Sequence, residues 1–237
     1  MIPENMRWVL DNIYTDIAEF MDEPLDAVMA KCQHGAQRVY KLWKNFGNPS
    51  NEKERDDFYA CSTAHLYEGA NWHNDPNARI QRFKIAEMCE GRVLDYGCGI
   101  ATEAFYAALM GHDVDLYDIG GIAYFLKWRI KKYGLKNIRV VNETELNEFI
   151  IERICGQIPI YKTYNTLISI DVLEHVNKPQ ECLENFAMFI GYEGLLLIEA
   201  PFHELEPKGH LVENAHLDLK YMIEKVGIKR WRTNLIR

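Results

Sequence analysis

Short apolar runs that alternate with helix-like stretches are the feature that most constrains the fold of this 237-residue chain. The runs fall at residues 92–95, 114–117, 138–141, 166–170 and 195–198. Stretches of helical periodicity separate them, at residues 102–110, 122–133, 145–154 and 180–190. Runs that are apolar throughout are typical of parallel strands buried on both faces. The pattern therefore predicts an α/β fold with a doubly wound, mostly parallel sheet.

The first 75 residues follow a different pattern. Apolar residues recur at helical spacing over residues 4–21 and 24–46, and a third helical stretch covers residues 57–68. The polar segment between them, residues 47–57, is predicted to be a loop. No run here is strand-like. We therefore predict a helical cap over residues 1–75 and an α/β domain over residues 76–237.

The end of the sequence adds one predicted helix, residues 214–226, and one predicted strand, residues 228–232. Doubly wound sheets often end in an antiparallel hairpin. The five residues that follow Arg232 leave room for one proper strand, or for two very short ones.

Composition narrows the classes of partner. The chain has 27 Lys and Arg against 35 Asp and Glu, a net charge of −8, whereas binding through nucleic-acid phosphates needs clustered positive charge. Nucleic acid is therefore not the expected partner. The six cysteines form no CxxC pair, which suits a reduced cytoplasmic protein. No signal segment and no apolar stretch long enough to span a membrane is expected.

The strongest local signal is VLDYGCGIAT, residues 93–102. A strand leads into a turn that contains Gly97 and Gly99, and then into a helix whose free N–H groups can bind a ligand. Asp95 places a charge at the end of an apolar strand, where either loop N–H groups or a cationic ligand group would satisfy it. Asp118 ends the next strand, about 20 residues further on, where an acid can accept both hydroxyls of a ribose. An exposed turn residue is the alternative for Asp118.

These segments resemble those of a known enzyme family. VLDYGCGIAT, the acid in LYDI, and LISIDVLEHV followed by EGLLLIEAP together resemble class I S-adenosylmethionine-dependent methyltransferases, over about residues 75–226. The combination is most similar to the small-molecule branch that includes the ubiquinone-biosynthesis O-methyltransferases. The segment DPNAR, residues 75–79, also resembles that branch's Asn-Pro-x-x-Arg segment. The resemblance implies a Rossmann-like fold and S-adenosyl-L-methionine as the cofactor.

The resemblance also implies roles for individual residues. Gly97, Cys98 and Gly99 would pass close to the methionine part of the cofactor, and Asp95 would orient the loop and the amino group. Asp118 would hold the ribose. The other residues implied to bind the cofactor are Ile119 beside the adenine, Asn142, Glu143 and Thr144 at the adenine edge, Asp171 and Val172 beneath the sulfonium, and Arg79 at the methionine carboxylate. A surface position is the alternative for Arg79.

Two departures from the family pattern bear on these roles. Ala101 replaces the third glycine of the loop, and Asn142 and Glu143 replace the usual acid after the third strand. The residues just before the α/β domain, His65, Tyr67, Trp72 and His73, lie where the cap would pass over the cofactor. An aromatic ring there could shield the sulfonium, and core packing is the alternative.

Candidate catalytic residues follow the fourth and fifth strands. His175 has the ordinary pKa of a base that works near neutrality, and Glu174 precedes it. A structural brace is the alternative for this pair. His203 follows the fifth strand and is expected to face the substrate. Asp171, Glu174, His175 and His210 offer oxygen and nitrogen ligands for a divalent ion, but we expect a metal-free site.

The sequence therefore predicts methyl transfer to an oxygen or nitrogen of a small-molecule acceptor. The alternatives are a methyltransferase that acts on a macromolecule, such as an RNA end or a protein, and a non-catalytic protein that binds S-adenosylmethionine. The N-terminal helices are the expected lid over the acceptor and the expected contact surface of a homodimer.

Overall fold

One parallel sheet forms the centre of the α/β domain. The computed structural model describes residues 2–49, 51–157, 163–191, 193–203 and 210–235. The strands are β1 (Val93–Tyr96), β2 (Val114–Tyr117), β3 (Ile138–Val140), β4 (Thr166–Ile170), β5 (Leu195–Glu199) and β6 (Arg230–Arg232). Their order is β3-β2-β1-β4-β5-β6, and every neighbouring pair is parallel. The predicted doubly wound α/β fold is confirmed, and its ligand crevice is expected where the order reverses, between β1 and β4.

Helices precede the sheet and connect its strands. In chain order they are α1 (Trp8–Asp11), α2 (Ile13–Met21), α3 (Leu25–Gln33), α4 (Gly35–Asn45), α5 (Glu52–Cys61), α6 (Ala64–His73), α7 (Pro76–Glu87), α8 (Thr102–Leu109), α9 (Gly120–Tyr133), α10 (Glu143–Ile154), α11 (Pro179–Ile190) and α12 (Leu219–Lys225). Asp75 caps α7, since its carboxylate accepts the N–H groups of Asn77 and Ala78 at 2.9 and 3.1 Å. Pro76 then occupies the first helical position, where no N–H is needed.

The cap is built from more and shorter helices than the sequence predicts. The predicted helix over residues 4–21 is divided into a 3₁₀ helix (Glu4–Met6), α1 and α2. The predicted helix over residues 24–46 is interrupted at His34, where the backbone leaves the helical region. The reason lies in the next residue, because a β-carbon on Gly35 would lie 2.5 Å from Glu68 Cα. The chain bends there so that α4 can cross α6 at a distance that only glycine allows.

The prediction of a loop over residues 47–57 is wrong for its second half, which is helical. Asn51 accepts the Glu54 N–H at 3.0 Å and so starts α5 at residue 52. The predicted helix over residues 57–68 is in turn interrupted at Ser62 and Thr63, between α5 and α6. Thr63 contacts the α/β domain, as described below.

Cap and sheet share one hydrophobic core. Leu10, Ile13 and Ile17 from α1 and α2 are fully buried in the same cluster as Leu116 of β2 and Phe125 of α9. The cap is therefore packed on the α8 and α9 face of the sheet rather than tethered beside it. The domain boundary at residue 75 stays a prediction, and it coincides with the Asp75 cap of α7.

A buried ion pair joins α2 to α9. Arg129 Nε donates to Asp16 Oδ2 at 2.8 Å, and both side chains have no exposed surface. Lys132 Nζ and the Tyr133 hydroxyl donate to Asp16 Oδ1, each at 2.9 Å. Arg129 also donates to the Val9 carbonyl. Burial lowers the pKa of Arg129, and the Asp16 charge opposes that shift.

The C-terminal segment contains a shorter helix than the sequence predicts. A 3₁₀ helix (Val212–Asn214) and α12 replace the predicted helix over residues 214–226. The predicted last strand is β6, which pairs parallel with β5. No antiparallel strand occurs in the described residues. No helix among them has the length and apolarity that a membrane crossing requires.

Asp16→Asn should lower the free energy of unfolding by about 3–5 kcal/mol, because it leaves the Arg129 charge buried without its counterion. Denaturant unfolding measures this change. Glu19→Gln is the matched control, since Glu19 makes an exposed pair with Lys132 at 2.7 Å and should cost less than about 1 kcal/mol. Equal effects of the two substitutions would show that the buried pair does not hold the cap.

Candidate active site

The loop after β1 has a backbone conformation that favours glycine. Gly97 and Gly99 have φ values of +69° and +53°. A β-carbon on Gly97 would lie 2.5 Å from Val172 Cγ2, whereas one on Gly99 would have no neighbouring atom within 4 Å. The N–H groups of Gly97 and Cys98 donate to the Tyr117 carbonyl at 2.8 and 3.2 Å. The loop is thus anchored to the end of β2, and the space beside Gly99 is open to a ligand.

Asp118 lies directly after β2 and faces this loop. Its Oδ2 accepts the Gly99 N–H and its Oδ1 accepts the Ile119 N–H, both at 2.7 Å. Burial raises the pKa of Asp118 above its ordinary value, while these two N–H groups and His65 act to lower it. A carboxylate has about four acceptor positions, so each oxygen keeps one. Asp118 is thus placed to accept two adjacent hydroxyls.

A buried charge cluster lies beneath the loop, where β1 ends and α8 begins. Asp95 and Glu103 are each 2% exposed, and Arg82 of α7 is 4% exposed. Arg82 Nη1 donates to Glu103 Oε1 at 2.6 Å. Asp95 Oδ2, Glu103 Oε2 and Arg82 Nε are buried and accept or donate no hydrogen bond within the described residues. The guanidinium of Arg82 is thus paired with Glu103, and its charge also acts on Asp95.

Burial controls the charges in this cluster. Burial, and then the negative charge of Glu103, raise the pKa of Asp95 well above its ordinary value, while Arg82 opposes the shift. Burial, and then the charge of Arg82, hold the pKa of His73 well below its ordinary value. His73 is therefore neutral near pH 7, and its Nδ1 lies 2.8 Å from the Thr102 hydroxyl at the start of α8.

The chain turns sharply after β4. Asp171 has a φ of +56°, a left-handed conformation that aspartate tolerates better than most residues, and its N–H donates to the Glu199 carbonyl at 3.0 Å. A 3₁₀ helix (Leu173–His175) follows. Val172 lies against Gly97, so one of the two residues predicted beneath the sulfonium borders the glycine loop. Their contact with the cofactor stays a prediction.

The cap reaches the site where α5 ends and α6 begins. A β-carbon on Gly120, whose φ is +57°, would lie 2.3 Å from the Ala60 carbonyl oxygen. A β-carbon on Gly121 would lie 2.8 Å from Thr63 Cγ2. Because Gly120 is two residues after Asp118, the cap contacts the sheet directly beside the predicted ribose position.

Tyr59 of α5 connects the cap to the segment after β4. Its hydroxyl lies 3.2 Å from His175 Nδ1, and the ring of His65 stacks on it with the centroids 5.0 Å apart. Burial, and then the acids Glu68 and Glu174, raise the pKa of Tyr59 above its ordinary value. The phenol therefore keeps its proton at neutral pH and orients one nitrogen of His175.

Glu174 and His175 lie together with His210. Glu174 Oε1 is 3.9 Å from Nε2 of both histidines, and the two imidazole rings meet edge to face at 4.8 Å. One ligand atom from each of the three residues lies within 4.8 Å of the other two, a spacing that can hold a divalent ion. Asp171 is not in this group, as far as the described residues show.

Contacts from two other segments hold this group in place. The Leu211 N–H donates to the Glu174 carbonyl at 3.0 Å, and Asn214 Nδ2 donates to the Val176 carbonyl at 2.9 Å. Arg55 of α5 forms an ion pair with Glu213 at 3.3 Å. The cap, the turn after β4 and residues 210–214 therefore converge on one place at the carboxyl ends of the strands.

His203, and Asn142 after β3, form hydrogen bonds within the protein. His203 is exposed, with its Nδ1 2.9 Å from the Ala215 carbonyl oxygen. Asn142 and Glu145 form a reciprocal capping box at the start of α10. Asn142, Glu143 and Thr144 are exposed at the carboxyl end of β3. Their roles toward a substrate or an adenine stay predictions.

Arg79 is held at the cap rather than in the buried cluster. Its guanidinium donates to Asp11 Oδ1 at 2.6 Å and, through Nε, to Asn74 Oδ1 at 2.9 Å. The guanidinium buried beneath the glycine loop is instead that of Arg82, one helical turn further along α7. Contact of Arg79 with a bound carboxylate stays a prediction.

The cap also has an open pocket of its own, of about 360 Å³. Leu42, Phe46, Phe58 and Tyr67 line its apolar part, and Arg38 is charged. Among the described residues, no predicted cofactor-binding or catalytic residue lines this pocket. The Tyr67 hydroxyl donates to Glu23 Oε1 at 3.1 Å, so the structure favours the packing alternative for Tyr67.

Comparison with known proteins identifies the family. A family model described as a methyltransferase domain matches residues 54–229, which is more than half of the chain. The chain belongs to the methyltransferase domain family. The predictions of a methyltransferase and of S-adenosyl-L-methionine as its cofactor are therefore confirmed. The nearness to the ubiquinone-biosynthesis branch stays a prediction.

Solved structures show more distant similarity. Coclaurine N-methyltransferase bound to N-methylheliamine and SAH is 14% identical, with a TM-score of 0.42, over 88% of this chain and 63% of that one. The N-terminal domain of EvdMO1 with SAH bound is 13% identical, with a TM-score of 0.35, over 64% of this chain and 60% of that one. This methyltransferase chain thus spans less than two thirds of either structure. No curated protein matches it significantly.

The residues present fit S-adenosyl-L-methionine. A β-carbon on Gly99 would have no described atom within 4 Å, which leaves room for a ligand against the loop. Asp95 Oδ2 is a buried acceptor with no hydrogen-bond partner among the described residues, which suits the ammonium group of the cofactor. Asp118 keeps acceptor positions for the ribose hydroxyls.

Sequence reasoning missed three of the polar residues at this site. Tyr59 lies in the predicted helix over residues 57–68, and nothing in the sequence marks its proximity to His175. Arg82 and Glu103, which are 21 residues apart in sequence, form a buried pair between α7 and α8. One signal was present, because Glu103 is the single charge in the otherwise apolar helix TEAFYAAL.

Asp118→Ala should weaken S-adenosyl-L-methionine binding by at least tenfold, because charge-assisted hydrogen bonds contribute roughly 1.5–3 kcal/mol each. Isothermal titration calorimetry measures the affinity. Asp113→Ala is the control, since Asp113 is exposed in the loop before β2 and should leave the affinity unchanged. An unchanged affinity for Asp118→Ala would contradict the ribose assignment.

Proposed function

We propose that this methyltransferase transfers a methyl group to an oxygen or nitrogen of a small-molecule acceptor, with His175 as the general base. The observation that carries the proposal is the 3.2 Å contact between the Tyr59 hydroxyl and His175 Nδ1, three residues after Val172, which lies against Gly97. This contact holds one nitrogen of the imidazole, and the other, Nε2, lies 3.9 Å from Glu174 Oε1.

The bound cofactor supplies an electrophilic methyl group on a sulfonium that is already a good leaving group. The protein must therefore hold that group, align the acceptor, exclude water and remove a proton. Asp118 holds the ribose, Asp95 holds the ammonium group, and Val172 borders the loop from below. The contacts of Ala60 and Thr63 with the start of α9 exclude water from the side of the cap.

Proton removal at Nε2 requires a particular tautomer of His175. Nδ1 must carry the hydrogen and donate it to the Tyr59 oxygen, so that Nε2 presents its lone pair to the acceptor. The imidazolium that forms is positive, and the buried Glu174 carboxylate lies 3.9 Å from Nε2. Glu174 then stabilises the charge that His175 acquires.

The charge of the chain supports a small acceptor. A net charge of −8 disfavours the binding of an RNA through its phosphates. A macromolecular acceptor and a protein that binds the cofactor without transfer are the alternatives that the experiment below separates. Association through the cap also stays a prediction, for which Leu25 and Met29, 42% and 43% exposed on α3, supply apolar surface.

The test is methyl transfer to panels of acceptors, measured as formation of S-adenosylhomocysteine. Phenols and catechols, primary and secondary amines, a short capped RNA and a protein extract form separate panels. We expect turnover with members of a small-molecule panel, and His175→Gln should lower it by roughly 100-fold or more while cofactor affinity changes little. Turnover with RNA or protein alone, or with none of the panels, would contradict the proposal, and so would full activity of His175→Gln.

A divalent ion at Glu174, His175 and His210 is the second candidate mechanism, and the 4.8 Å spacing of their ligand atoms favours it. Such an ion would bind the acceptor oxygen and lower its pKa. In the mechanism with His175 as base, dialysis against a chelator should leave turnover unchanged. Loss of turnover that Mg²⁺, Mn²⁺ or Zn²⁺ restores would instead favour the metal-assisted mechanism.

A further inference from the structure

The charge cluster beneath the glycine loop has an excess of acid. Asp95 and Glu103 are both buried, and the nearby cation Arg82 is paired with Glu103 at 2.6 Å. One oxygen of each carboxylate, Asp95 Oδ2 and Glu103 Oε2, is buried with no hydrogen-bond partner among the described residues. A second ionised carboxylate has no counterion there, and an uncompensated buried charge is costly.

The other groups that face Asp95 do not supply a positive charge. His73 of α6 lies near Arg82 and is neutral. Burial, and then the nearby acids, raise the pKa of the Cys89 and Cys98 thiols, so both are neutral as well. Asp118, after β2, adds a further negative charge. Within the described residues, Arg82 is therefore the cation that acts on Asp95.

We propose that the cofactor-free protein carries a proton on Asp95, and that Asp95 releases this proton to solvent when the ammonium group of the cofactor binds beside it. Glu103 is the positioning residue in this proposal. It holds the Arg82 guanidinium, so that Arg82 does not neutralise Asp95 fully. The bound ammonium group then takes the place of the proton as the counterion of Asp95.

The proton balance is simple. The free protein holds the neutral carboxylic acid of Asp95, and the complex holds its carboxylate against the ligand's ammonium group. One proton passes to the buffer, and no bond of the ligand changes. Cofactor affinity should therefore rise with pH, by up to tenfold per pH unit, over the range in which Asp95 is protonated in the free protein.

Calorimetry in buffers of different ionisation enthalpy counts the released protons. Work at about pH 6.5 keeps the ligand's amino group protonated, since α-amino groups titrate near 7.7–8.0. Phosphate and imidazole buffers differ enough to reveal the proton. The ligands are S-adenosyl-L-methionine, S-adenosylhomocysteine, and methylthioadenosine, which has the same nucleoside but no amino acid part.

We expect the release of close to one proton with S-adenosyl-L-methionine and with S-adenosylhomocysteine, and of none with methylthioadenosine. Release with S-adenosyl-L-methionine alone would point to the sulfonium, and equal release with methylthioadenosine would point to the nucleoside site around Asp118 and His65. Either result, or no release with S-adenosylhomocysteine, would overturn the proposal. This ligand series uses the unaltered protein, so it does not depend on the folding of a variant.

Glu103→Gln tests the part played by the second carboxylate. The substitution frees Arg82 to pair with Asp95, so Asp95 should be ionised before the ligand binds. We expect no proton release with S-adenosylhomocysteine and an affinity that changes less than twofold between about pH 6 and pH 7. Glu19→Gln, on the exposed surface of α2, should behave as the unaltered protein. An unchanged proton count in Glu103→Gln would overturn the role of Glu103.

These measurements are independent of the acceptor. They require cofactor binding, which follows from the family, and they do not use turnover. If no small-molecule acceptor is found, the expected proton count stays the same. A proton count of zero would likewise leave the acceptor tests untouched.

Discussion

The fully buried ion pair between Arg129 of α9 and Asp16 of α2 is the interaction on which the arrangement of this molecule depends. Neither ion can be removed from water alone without a large cost, so the pair forms only when cap and sheet are docked in one register. The apolar residues of α1 and α2 then share a core with β2 and α9. A cap held this firmly becomes part of the site rather than a covering for it.

The site gains its chemistry from this docking. The sheet alone supplies Asp95, Asp118, Glu174 and His175, whose positions follow from the ends of β1, β2 and β4. The cap adds Tyr59, which fixes the orientation of His175, and His65, which stacks on Tyr59 and acts on the charge of Asp118. The acids at the strand ends are therefore tuned by residues that are distant in sequence.

Sequence patterns predicted the strands and the glycine loop because their causes are local. A buried parallel strand must be apolar, and a tight turn such as that at Gly97 needs glycine. The breaks in the cap helices were not predictable, because the close crossing of α4 and α6 at Gly35 is a tertiary constraint. The Arg82–Glu103 pair was missed for the same reason: each charge is unfavourable alone, and only the folded structure shows its partner.

The contact at Gly120 brings the backbone of the cap directly beside the predicted ribose position. The atom that a β-carbon there would strike is the carbonyl oxygen of Ala60, which belongs to the backbone at the end of α5. A side chain can rotate away from a bulky ligand, but a backbone oxygen in a helix cannot move without its helix. The boundary of the site on this side is therefore backbone rather than a movable side chain. A ligand that needs more space here cannot bind unless it displaces the cap as a whole.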